Sequence, residues 1–464
     1  MRAQIRSRQS ALLLAAGLAA FAVAMAMYVA RILGHPMPDW MEPVDLRVYR
    51  YGGLIAAHVT PWYDPRRSSP LYDWPGYLHL KFTYTPFAAL VFTAMTVPAL
   101  TVLLTLSIAV NVLALGTAIW VTFGGLRYRA GTARFGATLL VAAAVFWTEP
   151  VQRTLFLGQI ELVLMALVLW DMCQPDRRWW KGAGIGIAAG IKLVPLIFIP
   201  YLVLTRRFRQ AAVSAATFAA TVALGFAVMP ADSRQWWLGG VFARGSRTGF
   251  VGWEGNQSLR AIITRLAGSA AAAQPAWLAA AALAVVLGLA CAVVLDRAGH
   301  PMAGLLTCAL TGLLVSPISW DHHWVWVVPA ITVLAGYAHR ARGAPRWAYL
   351  GAAAAIAALF GAWPGSLWGA PQDLGGFSLG IIWAPPNTNP GTYYQLGDRP
   401  WYPEYHWHGF ELATGNLYIL TGLVLFAALL VIALHSVRSP QRRDTQSATR
   451  PTVAASKTTG AMRT

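Results

Sequence analysis

Residues 11–33, ALLLAAGLAAFAVAMAMYVARIL, form an apolar block that carries a single charged side chain, Arg31. Residues 101–123 and 415–435 form similar blocks, and each is close to the ~20 residues that an α-helix needs to cross a bilayer core. Apolar residues make up 57% of the 464-residue chain and charged residues 12%, compared with ~25% charged in an average soluble domain. Irregular backbone cannot satisfy its amides in lipid, so the sequence predicts an all-α polytopic membrane protein.

The distribution of basic residues predicts how the chain crosses the membrane. Lys and Arg cluster in short segments between the apolar blocks: 127–134, 177–181, 206–209, 340–346 and the tail after residue 438. Longer, aromatic segments carry most of the acidic residues and are predicted to be outer loops: 34–99, 231–274 and 364–411. The positive-inside rule then predicts one transmembrane domain over residues 1–437, with about 12 transmembrane helices in the cell membrane and both termini cytoplasmic.

Other features of the composition have simple interpretations. The net charge of +18 lies mostly on the predicted cytoplasmic side, where it indicates contact with anionic membrane lipids rather than with nucleic acid. Residues 438–464 are rich in Ser, Thr and Arg and are predicted to be a disordered basic tail. The three cysteines lie in apolar blocks without the spacing of a disulfide framework or a zinc site. The first block is predicted to be an uncleaved span, because it lacks a clear cleavage site.

Two apolar segments are not simple spans. Residues 86–98 are short and are predicted to form a re-entrant or interfacial helix. Residues 182–204 have basic residues at both ends, so both ends should lie on one side of the membrane. We therefore predict a hairpin of two half-length helices with Lys192 near its tip. A lone membrane lysine can be purely structural, but at the junction of two half-helices it indicates contact with an anion.

Polar side chains gather at the predicted outer face. This favours an enzyme whose site opens to the outside over a transporter, whose site would lie near the midplane. Asp45, in the segment DLRVYR, is the leading candidate, because helical spacing places it on one face with Tyr49. Arg47 and Arg50 point in other directions. The alternative is that Asp45 caps the helix or pairs with one of these arginines.

Further candidates come from short polar segments of the same face. They are Tyr84, Glu149, Arg153, Gln159, Lys192, Asn256, Gln257, Arg260, Trp320, His322 and His323. Adjacent histidines on a helix diverge by ~100°, so one of His322 and His323 can face the site while the other packs. A metal site prefers ligands one helical turn apart, which this pair is not, and we predict no metal and no other cofactor.

The order of these segments carries a family resemblance. DLRVYR, FTYTPFAAL, EPVQRTLFLGQIEL, GIKLVP, GNQSLRAIITR and SPISWDHHWVW together resemble the polyprenyl-phosphate-mannose-dependent α-1,2-mannosyltransferases of mycobacteria and relatives, over residues 45–329. That family has the GT-C fold. The resemblance implies transfer of mannose from polyprenyl-phosphate-mannose to a mannosylated glycolipid acceptor, of phosphatidylinositol mannoside or lipomannan type, on the periplasmic side. Thr85 and Glu161 depart from the family pattern, which leaves the acceptor open.

The resemblance also implies roles for single residues. Asp45 matches the family's essential aspartate and is predicted to be the general base, with His322 and His323 as further catalytic residues. A polyprenyl phosphate leaves as a stabilised anion and needs cations rather than a general acid. The predicted ligands of the donor phosphate are Lys192, Arg153 and Arg260. The residues predicted to bind the acceptor or the sugar are Tyr49, Tyr84, Glu149, Gln159, Asn256, Gln257 and Trp320. Direct attack would invert the anomeric centre.

Two other functions stay open at this point. A related enzyme would transfer a different sugar, such as arabinofuranose, from a polyprenyl phosphate donor. A secondary transporter or lipid flippase would move a lipid or a sugar without forming a bond. The sequence contains neither an Asp-x-Asp motif nor a Gly-rich phosphate loop, which argues against a nucleotide-sugar donor.

Overall fold

A computed structural model of the chain describes residues 2–34, 43–59, 69–77, 80–364, 367, 379–385 and 402–438, and these residues form a helical bundle. Its helices are α1 (Arg2–Gly34), α2 (Val44–Ala56), α3 (Pro70–Asp73), α4 (Pro86–Phe92), α5 (Leu100–Gly125), α6 (Thr132–Phe146), α7 (Glu149–Leu157), α8 (Glu161–Met172), α9 (Ala183–Ile191), α10 (Phe198–Leu204), α11 (Phe208–Val228), α12 (Pro230–Trp237), α13 (Leu259–Ala267), α14 (Ala270–Arg297), α15 (Pro301–Val315), α16 (Val327–Arg340), α17 (Ala344–Leu359), α18 (Gly409–Thr414) and α19 (Leu417–Arg438). The predicted all-α fold is confirmed. The predicted disordered tail, after Arg438, lies outside the described residues.

Long apolar helices identify the membrane domain. In the described part of the chain, five helices are long and apolar enough to cross a membrane: Ser7–Gly34, Leu100–Gly125, Phe208–Val228, Ala270–Arg297 and Leu417–Val437. Helices α7 and α8 make a sixth span if they are counted together. Large side chains such as Leu113, Leu283 and Val424 are mostly exposed on these helices, as lipid contact requires. The chain is a multi-pass membrane protein, while the count of twelve spans stays a prediction.

The segment around Lys192 folds as the predicted hairpin. Helix α9 ends just before Lys192, whose backbone is extended (φ −140°, ψ 131°), and a 3₁₀ turn leads into α10. Gly182, before α9, accepts a hydrogen bond from the Ser214 hydroxyl of α11 over 2.8 Å. Gly190, at the other end of α9, packs on Thr221, further along α11. Because α10 ends shortly before α11 begins, the chain returns to its starting end, and Lys192 stands at the opposite tip.

A sharp bend joins α7 to α8. The two helix axes differ by 117°, and Gly158 between them has a left-handed φ of 68°, which glycine adopts without strain. A Cβ atom on Gly158 would lie 2.7 Å from the Cβ of Leu46, so the bend packs directly on α2. Gln159 and Glu161, which follow the bend, are thereby brought next to α2.

Helix α2 directs Asp45 towards this bend. Pro43, and not Asp45, is the N-cap residue of the helix. The guanidinium of Arg47 lies 5.2 Å from the ring centroid of Tyr77, and Arg50 donates to a backbone carbonyl of the 3₁₀ turn that follows α4. These contacts direct both arginines elsewhere, so the alternative of a capping or arginine-paired Asp45 does not describe the structure. A short helix is present where the sequence predicts a re-entrant or interfacial one over residues 86–98, since α4 and this 3₁₀ turn extend over Pro86–Thr96, and its position in the membrane stays a prediction.

Candidate active site

Lys192, at the tip of the hairpin, is the centre of a compact polar cluster. Its ammonium forms an ion pair with Glu161, in the first turn of α8, and donates a hydrogen bond to Nε2 of His323 over 2.8 Å. The same nitrogen of His323 lies 3.6 Å from Oε1 of Glu161. The ring of Tyr84 lies 5.6 Å from the ammonium, a favourable cation–π distance. These contacts compensate a lysine that would be costly near the membrane if it were unpaired.

The neighbouring histidine makes different contacts. Residues Asp321–Trp326 form a 3₁₀ helix, in which successive side chains diverge by ~120°. Oδ1 of Asp321 accepts both the backbone N–H of His322, over 2.8 Å, and its ring Nδ1–H, over 3.0 Å. Oδ2 of Asp321 lies 3.2 Å from Nε of Arg153, and both of these side chains are only 3% exposed. Asp321 thus connects Arg153 of α7 to His322.

Asp45 completes the cluster from α2. Its side chain is partly exposed, and Gln159 forms a hydrogen bond with its carboxylate. Burial raises the pKa of Asp45 above its usual value, and His322, Gln159, Lys192 and Arg153 only partly offset this effect. The structure therefore brings Asp45, the predicted base, close to His322 and to the two cationic side chains of Lys192 and Arg153.

Two tyrosines orient the amide of Gln159. The Tyr49 hydroxyl donates to Oε1 of Gln159 and lies 2.8 Å from the hydroxyl of Tyr84. Asn111 donates to the backbone carbonyl of Gln159 over 2.9 Å. Because Oε1 accepts from Tyr49, the amide nitrogen of Gln159 is the group that donates to Asp45. Burial, reinforced by Tyr84 and Asp45, raises the pKa of Tyr49 well above its usual value, which keeps its hydroxyl neutral.

The two histidines differ in what they can offer to a ligand. Burial lowers the pKa of His323 well below its usual value, and the nearby Lys192 and His322 lower it further. The ring of His323 is therefore neutral, with one nitrogen bonded to the carbonyl of Ile318 and the other accepting from Lys192. Nε2 of His322 is buried and has no hydrogen-bond partner among the described residues. His322 is thus the histidine with a ring nitrogen available to a substrate.

An apolar groove opens beside Lys192 and Glu161. Its apolar walls come mainly from α8, the hairpin and α15, and consist of Leu164, Met165, Val168, Val194, Pro195, Ile197, Phe198, Ala309, Leu313 and Trp326. These apolar walls therefore meet the charged cluster at Lys192 and Glu161.

Asn256 and Gln257 hold the loop that precedes the histidines. Oδ1 of Asn256 accepts the N–H of Ser319 over 2.9 Å, and its amide nitrogen donates to two backbone carbonyls. Gln257 donates to the carbonyl of Gly415 over 2.8 Å and accepts the N–H of Tyr418 over 3.2 Å. These bonds give both residues a structural role, and their predicted contact with sugar stays untested.

The remaining predicted residues are Glu149, Arg260 and Trp320, and the contacts of Arg260 are with α14 rather than with the cluster. Glu149 is buried and accepts hydrogen bonds from the hydroxyl of Tyr418 over 2.9 Å and from the indole N–H of Trp383 over 3.3 Å. Arg260 lies on α13, with its guanidinium 4.8 Å from an indole ring of α14. Trp320 packs edge-on against the indole of Trp253, with 5.3 Å between the ring centroids. None of these contacts tests the predicted roles, which stay predictions.

Sequence reasoning did not place Glu161 and Asp321 in the site. Glu161 was noted only as a departure from the family pattern, and its ion pair with Lys192 joins residues that are 31 positions apart. Asp321 directly precedes the two histidines, and a carboxylate beside such a pair was a usable signal, because carboxylates commonly orient histidines.

The cluster also contains possible metal ligands. One ligand atom each of Glu161, His322 and His323 lies within 4.8 Å of the others. However, the ammonium of Lys192 already bonds Glu161 and His323, and a divalent cation placed there would be repelled by it. The donor set therefore fits an ammonium, and the predicted absence of a metal awaits a chelation experiment.

Comparison with known proteins identifies close relatives. The model of glycosyltransferase family 87 matches residues 82–317, half of the chain. The polyprenol-phosphate-mannose-dependent alpha-(1-2)-phosphatidylinositol pentamannoside mannosyltransferase of Mycobacterium tuberculosis (strain CDC 1551) is 36% identical over 68% of this chain and 72% of its own length. The corresponding pentamannoside enzyme of Mycolicibacterium smegmatis is 33% identical over 63% of this chain and 69% of its own length. No solved structure matches the chain.

A second relative from Mycobacterium tuberculosis (strain H37Rv) carries a similar name, polyprenol-phosphate-mannose-dependent alpha-(1-2)-phosphatidylinositol mannoside mannosyltransferase. It is 33% identical over 66% of this chain and 73% of its own length. These matches confirm the predicted resemblance. With its membrane-spanning helices and its polar cluster beside an apolar groove, this chain belongs to glycosyltransferase family 87 and is a membrane glycosyltransferase of the GT-C class.

Proposed function

We propose that the protein transfers mannose from polyprenyl-phosphate-mannose to a mannosylated phosphatidylinositol, with inversion and with Asp45 as the general base. The observation that carries this proposal is that Asp45 is close enough to Lys192 and His322 to interact electrostatically with both, and that Lys192 also lines an apolar groove. The names of the relatives supply the donor, the α-1,2 linkage and the class of acceptor.

The groove suits the donor, which is a lipid with a sugar phosphate at its end. Its polyprenyl chain would lie along the apolar walls, and its phosphate would stop at Lys192, where the groove meets the cluster. The ammonium of Lys192 can bind a phosphate as a compact point charge. A second cation of the cluster, the guanidinium of Arg153, is paired with Asp321. A nucleotide would leave these apolar walls exposed, so the groove favours a lipid-linked donor.

Asp45 is the best candidate for the base because Glu161 and Asp321 are already engaged in ion pairs. Among the described residues of the cluster, Glu161 is paired with Lys192, and Asp321 is paired with both Arg153 and His322. The carboxylate of Asp45 has instead the neutral amide of Gln159 as its hydrogen-bond partner. Since its pKa is raised, it binds a proton more readily than an ordinary aspartate does.

The reaction that we propose is a single displacement. The acceptor hydroxyl oxygen attacks C1 of the mannose while its proton passes to the carboxylate of Asp45. The bond from C1 to the phosphate oxygen breaks, and its electron pair leaves with the polyprenyl phosphate. Attack from the face of C1 opposite the leaving group would turn a β-linked donor into an α-linked product.

We also propose that this site faces the periplasm and that both termini are cytoplasmic. The tip of the hairpin carries Lys192, whereas the opposite end of the hairpin lies between the basic segments 177–181 and 206–209. The positive-inside rule assigns such short basic loops to the cytoplasm, which supports an outer position for the cluster.

A donor panel tests the proposal. The purified full-length chain is incubated with labelled polyprenyl-phosphate-mannose, GDP-mannose or decaprenyl-phosphate-arabinofuranose, together with mannosylated phosphatidylinositols of increasing length. We expect label to enter the glycolipid only from polyprenyl-phosphate-mannose, in a bond cleaved by an α-1,2-mannosidase. Transfer from GDP-mannose, transfer of arabinofuranose, or movement of the donor across vesicles without a new glycolipid would refute it.

A further inference from the structure

Arg260, predicted from the sequence as a ligand of the donor phosphate, is directed away from the cluster. It stands in the first turn of α13, and its half-buried guanidinium lies 4.8 Å from the ring centroid of Trp277, on α14. Its hydrogen bond to Oε1 of Gln274 is 3.5 Å long, at the weak end of the range. A guanidinium carries five N–H donors, so most of its hydrogen-bonding capacity is unused within the described residues.

No carboxylate in the described part of the chain balances the charge of Arg260. Arg153 and Arg207 each form an ion pair with an aspartate, whereas Arg260 forms none with any described acid. Burial lowers the pKa of Arg260 below its usual value, and no acid of the described segments offsets this effect. A half-buried cation without a counter-ion is costly, and an anionic ligand would remove that cost.

Arg260 lies beside one end of a membrane-spanning helix, on the side of the active site. The far end of α14 meets the base of the hairpin, where Arg297 donates to the carbonyl of Leu204 over 3.2 Å. The near end, next to Arg260, therefore lies at the end of the bundle where Lys192 stands. Leu278, close to this near end, is 51% exposed, as contact with lipid requires.

Hydrogen bonds connect α13 to the segment that carries the histidines. Ser258, the N-cap residue of α13, donates to the carbonyl of Pro317 over 3.3 Å. The backbone N–H of Gln257 donates to the carbonyl of Ser319 over 2.7 Å. Arg260 is thus held near the active site, although its own contacts are with α14, and a ligand that reaches both places must be extended.

We propose that Arg260 binds the phosphodiester of the acceptor lipid and not the phosphate of the donor. This inference rests on the proposed function, in which the acceptor is a mannosylated phosphatidylinositol. In such a lipid, the inositol and its mannoses separate the phosphodiester from the hydroxyl that attacks, so the two groups occupy different sites. With that hydroxyl at Asp45, the phosphodiester would lie beside the end of α14. The stacked guanidinium keeps its N–H edge free to bind it.

A matched pair of acceptors tests this site. Transfer by the wild-type and Arg260→Met proteins is measured with a phosphatidylinositol mannoside and with the same oligomannoside on an alkyl chain, which lacks the phosphate. Arg260→Met should raise the KM for the phosphate-bearing acceptor by about 10-fold, because a charge-assisted hydrogen bond is lost. The KM for the alkyl oligomannoside should change by less than about twofold, and the KM for the donor should not change. Arg260→Lys, which keeps the charge, should give an intermediate KM.

Other outcomes would overturn the inference. An equal rise in KM for both acceptors would show that Arg260 supports the sugar site or the structure. A rise in the KM for polyprenyl-phosphate-mannose alone would return Arg260 to the donor phosphate. If every KM is unchanged but Arg260→Met is no longer stabilised against heat by added phosphatidylglycerol, the site binds bulk phospholipid and not the acceptor.

Controls separate this role from general charge, from folding and from the proposed function. Arg247→Met is the matched control, because the Arg247 guanidinium is also half-buried and stacked, 5.7 Å from the ring centroid of Tyr72, but already donates to a backbone carbonyl over 2.9 Å. It should leave both acceptor KM values unchanged. If Arg260→Met is unstable, Arg260→Gln replaces it. If the wild-type chain forms no mannosylated product but binds the phosphatidylinositol mannoside in detergent only when Arg260 is present, the proposed function fails and the phosphodiester site stands.

Discussion

Replacing Lys192 with methionine removes the one ammonium that stands between the apolar groove and the cluster, while keeping most of the side-chain volume. In the proposed reaction, Lys192 donates a charge-assisted hydrogen bond to the phosphate of the donor. Such bonds contribute ~1.5–3 kcal/mol, which corresponds to a loss of about 10- to 150-fold in kcat/KM for polyprenyl-phosphate-mannose. The KM for the acceptor should change little, because the acceptor is placed at Asp45 and not at the phosphate.

The variant also leaves the carboxylate of Glu161 without its ion-pair partner. This carboxylate is 12% exposed, so some loss of stability is expected, and Lys192→Met combined with Glu161→Gln removes the leftover charge. We expect the double variant to regain thermal stability but not donor use.

A matched control for this experiment is Lys181→Met. Lys181 is likewise a lysine paired with an acid, 2.8 Å from Asp176, but it lies at the opposite end of the hairpin. The assay is transfer of labelled mannose at varied donor concentration, with the unfolding temperature measured on the same samples. The reasoning is refuted if Lys192→Met keeps its donor kcat/KM within about threefold of wild type, or if Lys181→Met loses as much.

Three more predictions concern pH, metals and the bend. Because Asp45 must be deprotonated to act as the base and its pKa is raised by burial, kcat/KM should fall as the pH drops through a value above the ~3.9 of a free aspartate. A pH profile that is flat down to this value would contradict that role. Treatment with EDTA should leave transfer unchanged, since Lys192 occupies the centre of the possible ligand set, and loss of activity that Mn²⁺ or Mg²⁺ restores would show a metal site. Gly158→Ala should cost ~1–2 kcal/mol of stability from its positive φ and also lower kcat, because the new Cβ would clash with Leu46 and shift α2. Gly268→Ala shares the positive φ but meets nothing within 4 Å, so it should lose stability alone, and equal kinetic losses in the two variants would contradict the packing argument.

Local features of the fold were largely predictable from the sequence. The hairpin followed from basic residues at both ends of an apolar segment, which require both ends to lie on one side of the membrane. The helical spacing of DLRVYR correctly separated Asp45 from Arg47 and Arg50. These predictions succeeded because they depend on residues that are neighbours in the chain.

The composition of the cluster was harder to predict, because its contacts join distant parts of the chain. Tyr49 and Gln159 are 110 positions apart, and Lys192 and His323 are 131 apart. Polar residue type alone could not show that the amides of Asn256 and Gln257 bond the backbone of neighbouring loops. Nor could it show which histidine keeps a free ring nitrogen, since that depends on the surroundings of each ring.

The most direct test of the central claim is the rate of mannose transfer by Asp45→Asn, which keeps the shape of the side chain but removes its basicity. Asp73→Asn, an exposed acid in the same outer region, serves as the control. The account predicts that kcat for Asp45→Asn falls by ~10²–10⁴-fold, the usual contribution of a general base, while its folding and the activity of Asp73→Asn are retained. A well-folded Asp45→Asn protein that still forms the α-1,2-mannosylated product at the wild-type rate would contradict it.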